Sequence, residues 1–352
     1  MISPTIYDVA RTAGVATSTV SRAFSNPQRV SEATREHVLR TARELGYEPN
    51  PHARALTSRR TQTIAMVMSD ITNPHFFEII RGAEQRAKAS AYTLVLVNAE
   101  ESPRIEQEQI QRLARSVDGF LLAASRLPDE TITELAATKT LVLVNRQVRG
   151  IRSVVLDQGE GCRQLVAHLA SLGHTSVVYL AGPRHSWMAA SRWSAIRDAA
   201  AELGVAAVRM GPYTPKVAHG AAAADVALTT GATAMIAHND LLAIGVLRRL
   251  AARSVRVPED VSVSGFDDIF AAELCTPSLT TLGGAHADLG RAAVELLLEA
   301  ATGARGSGAA VPQLTLPSQL MLRNSTGSAP APAVSLPGRA MRAPGGGSPA
   351  AG

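Results

Sequence analysis

Residues 5–24 read TIYDVARTAGVATSTVSRAF. Thr5 and Asp8 stand in a Thr-x-x-Asp spacing, a capping-box pattern that opens a helix. Val9, Ala10 and Ala13 give that helix an apolar face. Gly14 falls where a helix ends in a left-handed residue, and Val15 reads as the buried residue of the turn. A second helix starts near Thr17, points Val20 and Phe24 inward, and stops at Ser25-Asn26-Pro27. Two short helices about a glycine-containing turn form a helix-turn-helix. Working outward, Ser31 caps a third helix with Val38, Leu39, Ala42 and Leu45 as its buried stripe and Gly46 as its end. Thr17, Ser18 and Arg22 are left on the outer face of the second helix, the face that enters the major groove in such motifs. Arg22 suits guanine O6 and N7, and the hydroxyls are adaptable readers. Thr5, Ser21 and Ser31 complete the candidate DNA contacts in this segment. The plainer alternative is a helical hairpin with a solvated polar face.

Charge supports the first reading by its position more than its sum. The 352 residues carry a net charge of +5, with a pI near 9.6. Only three lysines occur (Lys88, Lys139, Lys216), so arginine supplies the positive charge throughout. Residues 1–60 hold nine arginines and five acids, a charge of +4 at one end of the chain, as a phosphate-binding module needs. The two cysteines, Cys162 and Cys275, form no CxxC pair and read as reduced core residues. Met1–Ala10 lacks the apolar core of a signal peptide, and no apolar run reaches the ~20 residues of a membrane span. A soluble, cytoplasmic protein is expected.

Beyond residue 60 the pattern changes to short apolar runs: 64–68, 93–97, 119–123, 141–144, 153–156, 176–181, 233–237 and 261–264. They are too short for helices and rich in Val, Ile and Leu, as strands buried on both faces of a parallel sheet are. Amphipathic stretches separate them, at 76–91, 104–116, 162–172 and 241–252. Strand–helix alternation predicts doubly wound α/β structure, with ligands beyond the carboxyl ends of the strands. Residues 327–352 are mostly Ala, Pro, Gly and Ser, with two arginines, a composition expected to stay disordered.

The opening segment closely resembles the signature of the LacI family of bacterial regulators, T-I-x-D-V-A-x-x-A-G-V-S-x-x-T-V-S-R. It departs at Ala16, where the family usually has serine, so one cap of the second helix is missing. Pro51–Arg60 resembles the family's hinge helix. The resemblance implies that Leu56 wedges into a central minor-groove step, with Arg54, Arg59 and Arg60 on phosphates; a flexible linker is the alternative. Further on, seven segments match in order. They are Ser69–Phe77, Val155–Gly161 (with Gln158 for asparagine), Leu172-Gly173-His174, Leu180–Pro183, Asn239–Gly245, Gly265–Asp268 and Pro277–Thr281. The resemblance covers almost all of residues 1–326. It implies an all-α helix-turn-helix headpiece (1–49), a hinge (50–60) and a periplasmic-binding-protein-like core (61–326) of two doubly wound subdomains joined by three crossovers, followed by the tail (327–352).

In relatives the cleft between subdomains binds an effector. The matching positions here are Asn73, His75 and Phe76 in the first loop, Asn145 and Arg146 at one strand end, Ser186 and Arg192 after the Gly-Pro turn, and Asn239 and Asp267 at two further strand ends. Asn, Asp and Arg make paired hydrogen bonds to vicinal hydroxyls, which points to a sugar or sugar-like polyol. Each also has a plain reading. Asn145 and Asn239 serve as helix caps, Asp267 as a turn residue, Arg192 as partner to an acid, and His75 as a bystander. Of the tryptophans, Trp187 is a weak candidate for stacking, and Trp193 reads as core. His75 replaces an aromatic found in many relatives, and Ala195 a glycine. The expected partners are a palindromic double-stranded operator and a second copy of the chain. A dimer is expected because the tail lacks a leucine heptad. A transporter's solute receptor fits the core alone. No Gly-x-Ser-x-Gly, phosphate loop, His-Glu-x-x-His or CxxC motif occurs, so no catalysis, cofactor or metal is expected.

Overall fold

A computed structural model of the protein describes residues 4–47, 60–302 and 311–331. Three helices, α1 (Ile6–Thr12), α2 (Thr17–Ser25) and α3 (Glu32–Leu45), close around Val9, Ala10, Ala13, Val20, Ala23, Val38 and Ala42. Gly14 has φ of 63° and Gly46 of 67°, the left-handed turns that end α1 and α3. At the start of α1 both the Thr5 amide and its hydroxyl donate to Asp8 Oδ2, at 2.9 and 2.7 Å. Ser31 Oγ accepts from the Thr34 amide at the start of α3. Ala16 supplies no side-chain cap to α2. Val15 is only half-buried.

The remaining residues form two six-stranded sheets. In the first, β1 (Thr63–Met68), β2 (Thr93–Asn98), β3 (Gly119–Ala123), β4 (Leu141–Val144), β5 (Ser153–Leu156) and β11 (Gln313–Leu316) lie in the order β11-β5-β4-β3-β1-β2, all parallel. In the second, β6 (Ser176–Leu180), β7 (Ala206–Met210), β8 (Ala234–Ala237), β9 (Ser262–Phe266), β10 (Thr280–Gly284) and β12 (Ser318–Met321) lie in the order β12-β10-β9-β8-β6-β7. Only β12 runs antiparallel. Helices α4 (His75–Ala89), α5 (Pro103–Leu113) and α6 (Asp129–Thr138) connect strands of the first sheet. Helices α8 (Trp187–Glu202), α9 (Gly220–Leu228), α10 (Asp240–Ala252) and the short α11 (Ala271–Leu274) connect those of the second. The chain crosses between sheets three times: at β5 to α7 (Gln158–Ser171), at β10 to α12 (His286–Thr302), and from β11 to β12 through Pro317.

Helix α12 returns to the first subdomain and packs on α4, where Ile79 and Ala83 meet Leu289, Ala293 and Leu297. The two helices touch at glycines. A Cβ on Gly82 would lie 1.8 Å from the Ala287 carbonyl oxygen, and one on Gly290 would lie 2.0 Å from that of Ile79. The strands β1, β3, β4, β5, β8 and β9 are buried almost throughout, which is why they stand out as unbroken apolar runs.

The expected start of the tail at residue 327 needs correction. The Gly327 amide donates to Ser262 Oγ, its carbonyl lies 3.1 Å from His174 Nε2, and the Ala329 amide donates to the Leu172 carbonyl. A Gly-Ser-Ala stretch has no hydropathy signal for this backbone pairing. The hinge residues 50–59, with Arg54, Leu56 and Arg59, lie outside the described residues. Arg60 is described, and donates to the Ala301 carbonyl. Among the described residues no helix is long and apolar enough to cross a membrane.

Candidate functional site

Each sheet reverses its strand order once, between β1 and β3 and between β6 and β8. Loops leaving the strands diverge there, so a crevice opens beyond the carboxyl ends. A small cavity of about 40 Å³ lies at both reversal points, between Ser69 and Ala124 on one side and His238 and Asn239 on the other. Asn73, His75, Phe76, Asn145, Ser186, Arg192 and Asp267 also line it.

Its centre is a buried ion pair. Arg192 donates to Asp267 Oδ1 (2.9 Å), to Gln158 Oε1 (3.2 Å) and to the His238 carbonyl (2.5 Å), and its guanidinium sits 4.2 Å above the Phe266 ring. His75, from the other subdomain, approaches the same Asp267 oxygen with Nδ1 at 3.5 Å. The Asn145 amide nitrogen lies 2.9 Å from His75 Nε2. An amide nitrogen only donates, so Nε2 accepts and the ring proton sits on Nδ1, facing Asp267. Burial holds His75 down at about 4, against the pull of Asp267 upward, so it is neutral at pH 7. Burial also lowers His238, with Arg192 and then Arg126 adding to it. The His286 ring nitrogen lies 2.8 Å from the Asp267 carbonyl oxygen.

The backbone here is strained. Asn145 (φ 57°), Asp267 (φ 105°), Ala124 (φ 51°) and Glu101 (φ 56°) all line the cavity with left-handed conformations. Such residues persist only where surrounding contacts hold them, and they concentrate at binding sites.

Most residues nominated from sequence meet in this cavity. Ser186 and Asn239 also cap α8 and α10, accepting from Ala189 and Leu242. Asn73 Oδ1 accepts from the His75 amide. Arg146 must be corrected. It leaves the right strand end, but its guanidinium turns to the Ser125 carbonyl (2.8 Å) and Asp129 (2.6 Å) and tethers the loop before α6 instead of lining the cavity. Trp193 stacks on Tyr179, with centroids 6.1 Å apart, against the second sheet. Trp187 is half-buried and does not line the cavity. Sequence reasoning missed Glu101, Arg126, Met188, Pro215 and His238. For Glu101, Arg126 and His238 a polar residue one to three positions past a strand end was the available signal; Met188 and Pro215 carried none.

On the headpiece, Ser18 and Arg22 are exposed along α2, and Thr17 and Ser21 half-buried, all on one side of the helix. Thr5 and Ser31 are exposed at the two helix starts. Tyr7 on α1, passed over in the sequence, is 72% exposed.

Two family models match the chain: bacterial regulatory proteins of the lacI family over residues 5–50, and a periplasmic binding protein-like domain over residues 166–326. The HTH-type transcriptional regulator DegA of Bacillus subtilis (strain 168) is 32% identical over 332 residues, covering 92% of this chain and 98% of that protein. The HTH-type transcriptional repressor CytR of Escherichia coli (strain K12) is 32% identical over 335 residues, 93% and 97%. The chain belongs to the LacI family. A solved structure of the lac repressor dimer bound to operator and the anti-inducer ONPF superposes with a TM-score of 0.82 at 28% identity, covering 93% of this chain and all of that one. The transcriptional regulator CelR in complex with cellobiose does so at 0.67 and 30%, covering 92% and 99%. This LacI-family protein is a transcription regulator with a helix-turn-helix headpiece and an effector-binding core; its relatives are regulators, not enzymes or transport receptors.

Proposed function

We propose that the protein represses transcription by binding a palindromic operator as a homodimer, under control of a sugar or sugar-like polyol in the cleft. The carrying observation is the cavity where both sheets reverse, in which Asn73, His75, Asn145, Ser186, Arg192, Asn239 and Asp267 offer donors and acceptors beside the apolar Phe76 and Met188. That mixture suits a ring with hydroxyls at its edge and C–H groups on its faces. The complex of CelR with cellobiose supports the ligand class, and the operator-bound lac repressor dimer supports the partners.

On the DNA side, Thr17, Ser18, Ser21 and Arg22 read the major groove, and Thr5 and Ser31 hold phosphates. Residues 1–49 form the headpiece. Residues 50–60 form the hinge, with Leu56 the wedge and Arg54 and Arg59 on phosphates. The homodimer is supported by edge strand β2, where Leu94 and Val95 are half-buried and Leu96 exposed, and by exposed Phe77, Phe270 and Leu274. An open apolar edge invites pairing, and a second copy covers it. The protein works in the cytoplasm, where its operator is. Ligand binding changes the angle between subdomains and so the spacing of the two hinges, coupling the sites by about 1–3 kcal/mol.

The test has two steps. Full-length protein selects duplexes from a random pool, and a two-fold-symmetric site is expected. A thermal-shift panel of sugars, sugar alcohols, sugar phosphates and purines follows. A ligand at 100 times its Kd adds about 2.7 kcal/mol, or roughly 5–10 °C. A sugar or polyol that both shifts the midpoint and changes operator affinity is expected. A purine as the sole ligand overturns the effector class, and selection of no sequence overturns operator binding.

A further inference from the structure

Arg192–Asp267 is not the only arginine–carboxylate pair in the cavity. In the opposite subdomain Arg126 grips Glu101 with both arms: Nε to Oε2 at 2.6 Å and Nη2 to Oε1 at 3.1 Å. Both residues line the same cavity as Arg192 and Asp267. Arg126 is buried, and the Glu101 side chain is 21% exposed.

This pair is built at some cost. Glu101 follows β2 on a loop with two successive left-handed residues, Glu100 (φ 53°) and Glu101 (φ 56°). Its amide is anchored on the Ser69 carbonyl at 2.6 Å. Arg126 follows β3, two residues after the left-handed Ala124. Its amide donates to the buried Glu106 carboxylate at 2.8 Å, and its Nη1 to the Ala124 carbonyl at 3.0 Å. A buried ion pair adds little net stability over an apolar pair of the same volume, and left-handed non-glycine residues subtract from it. A stabilising role therefore does not account for the arrangement, whereas recognition of a ligand does.

The chemistry is specific. The four guanidinium and carboxylate charges cancel in two pairs, so the cavity offers no net charge to an ionic ligand. Three of the five Arg126 N–H groups are engaged among the described residues, which leaves two donors beside a carboxylate with lone pairs to spare. A donor fork next to an acceptor is the complement of two adjacent hydroxyls, each of which both donates and accepts.

We infer that Glu101 and Arg126 form a second diol-binding subsite, facing Arg192–Asp267 across the cleft, and that the effector is an uncharged polyol with hydroxyl pairs at both ends. The inference rests on the proposed polyol-controlled function and names which residues select within that class. Closing the cleft on such a ligand brings one pair from each subdomain onto it, so Glu101–Arg126 decides which hydroxyl pattern is accepted.

The experiment is calorimetric titration of the full-length protein with aldopentoses, aldohexoses, cellobiose and sugar alcohols, then with the monodeoxy and phosphorylated forms of whichever binds. Glu101→Gln, which keeps the volume, and the double variant Glu101→Gln/Arg126→Gln, which leaves no buried charge unpaired, are titrated beside the wild type. Binding is expected to weaken roughly 10- to 100-fold in both variants, the worth of hydrogen bonds to charged groups. In the variants, removing the hydroxyls at one end of the ligand is expected to cost nothing more. The phosphorylated form is expected not to bind. If the wild type binds a polyol and both variants match it, or if the phosphorylated form binds better, the subsite is wrong and the proposed function stands. If no polyol binds the wild type, the functional reading itself falls and takes the subsite with it.

Discussion

Arg192 illustrates how a residue nominated for ligand binding also carries the fold. Its three hydrogen bonds and its place over Phe266 tie α8 to β9, to the start of α7 and to the residue after β8. Arg192→Ala leaves the Asp267 carboxylate buried with no cation, which costs about 3–5 kcal/mol. Urea unfolding should show that loss; a change below ~1 kcal/mol would mean that Asp267 is reached by water. Asp267→Asn, with volume and acceptor retained, is therefore the gentler probe of ligand contact. His75 gives a prediction in pH. Its folded value of about 4 lies below the ordinary 6.5, so the unfolded chain takes up the proton first as pH falls. Stability from this group is complete above pH 6.5 and declines between 6.5 and 4, by roughly 3 kcal/mol in all. Asp240 and Glu106, raised chiefly by burial, act in the opposite sense. The readout is accordingly the difference between wild type and His75→Gln. That difference should shrink steadily on acidification through this window, and a constant difference would refute a buried neutral histidine.

Among the elements, α2 is one whose sequence is visibly short of a stabilising group. Its N-cap is Ala16, so none of the first amides of the helix is satisfied by the capping side chain. Ala16→Ser should stabilise α2 by about 0.5–1 kcal/mol, seen as a roughly two- to five-fold slowing of amide exchange at its start. Unchanged exchange would show that the cap adds nothing there. The headpiece helices were legible because each carries its own start and stop signals: Thr5–Asp8, Gly14, Ser31, Gly46. Strands β1, β3, β4, β5 and β8 were legible because burial on both faces makes the run continuous. The strands β7, β11 and β12 escaped notice because they lie at sheet edges with mixed burial. Long α8 was hidden by the buried Arg192 in the middle of its inward face. The site was legible only in part, and for a topological reason. Glu101, Arg126 and His238 follow different strands, and their convergence depends on strand order, which periodicity does not encode. For Arg146 the sequence placed the Cα correctly but not the turn of a long side chain toward Asp129.

For the molecule as a whole, function depends on how two subdomains with three connections move against each other, and two side-chain ion contacts among the described residues, besides the His286–Asp267 carbonyl contact, bridge them. His75–Asp267 lies deep in the cleft. Lys216–Asp70, at 3.2 Å, links the loop after β7 to the loop after β1 and uses one of only three lysines in the chain. Asp70 is held below its ordinary value by Thr72 and Lys216 in spite of partial burial. Because the Lys216 side chain is half exposed, the pair contributes little to global stability, at most about 1 kcal/mol. The same energy acting on the opening of a two-state cleft is enough to shift ligand affinity by about two- to five-fold. Lys216→Ala should leave the unfolding midpoint almost unchanged, weaken ligand binding by that factor, and remove most of its dependence on salt between 50 and 500 mM, roughly the range over which an exposed pair is screened. Asp70→Asn should do the same, and the double variant should be no worse than either single one, because both remove a single contact. Additive losses in the double variant, or a salt dependence that survives it, would show that the two residues act on the ligand separately and do not hold the cleft closed together.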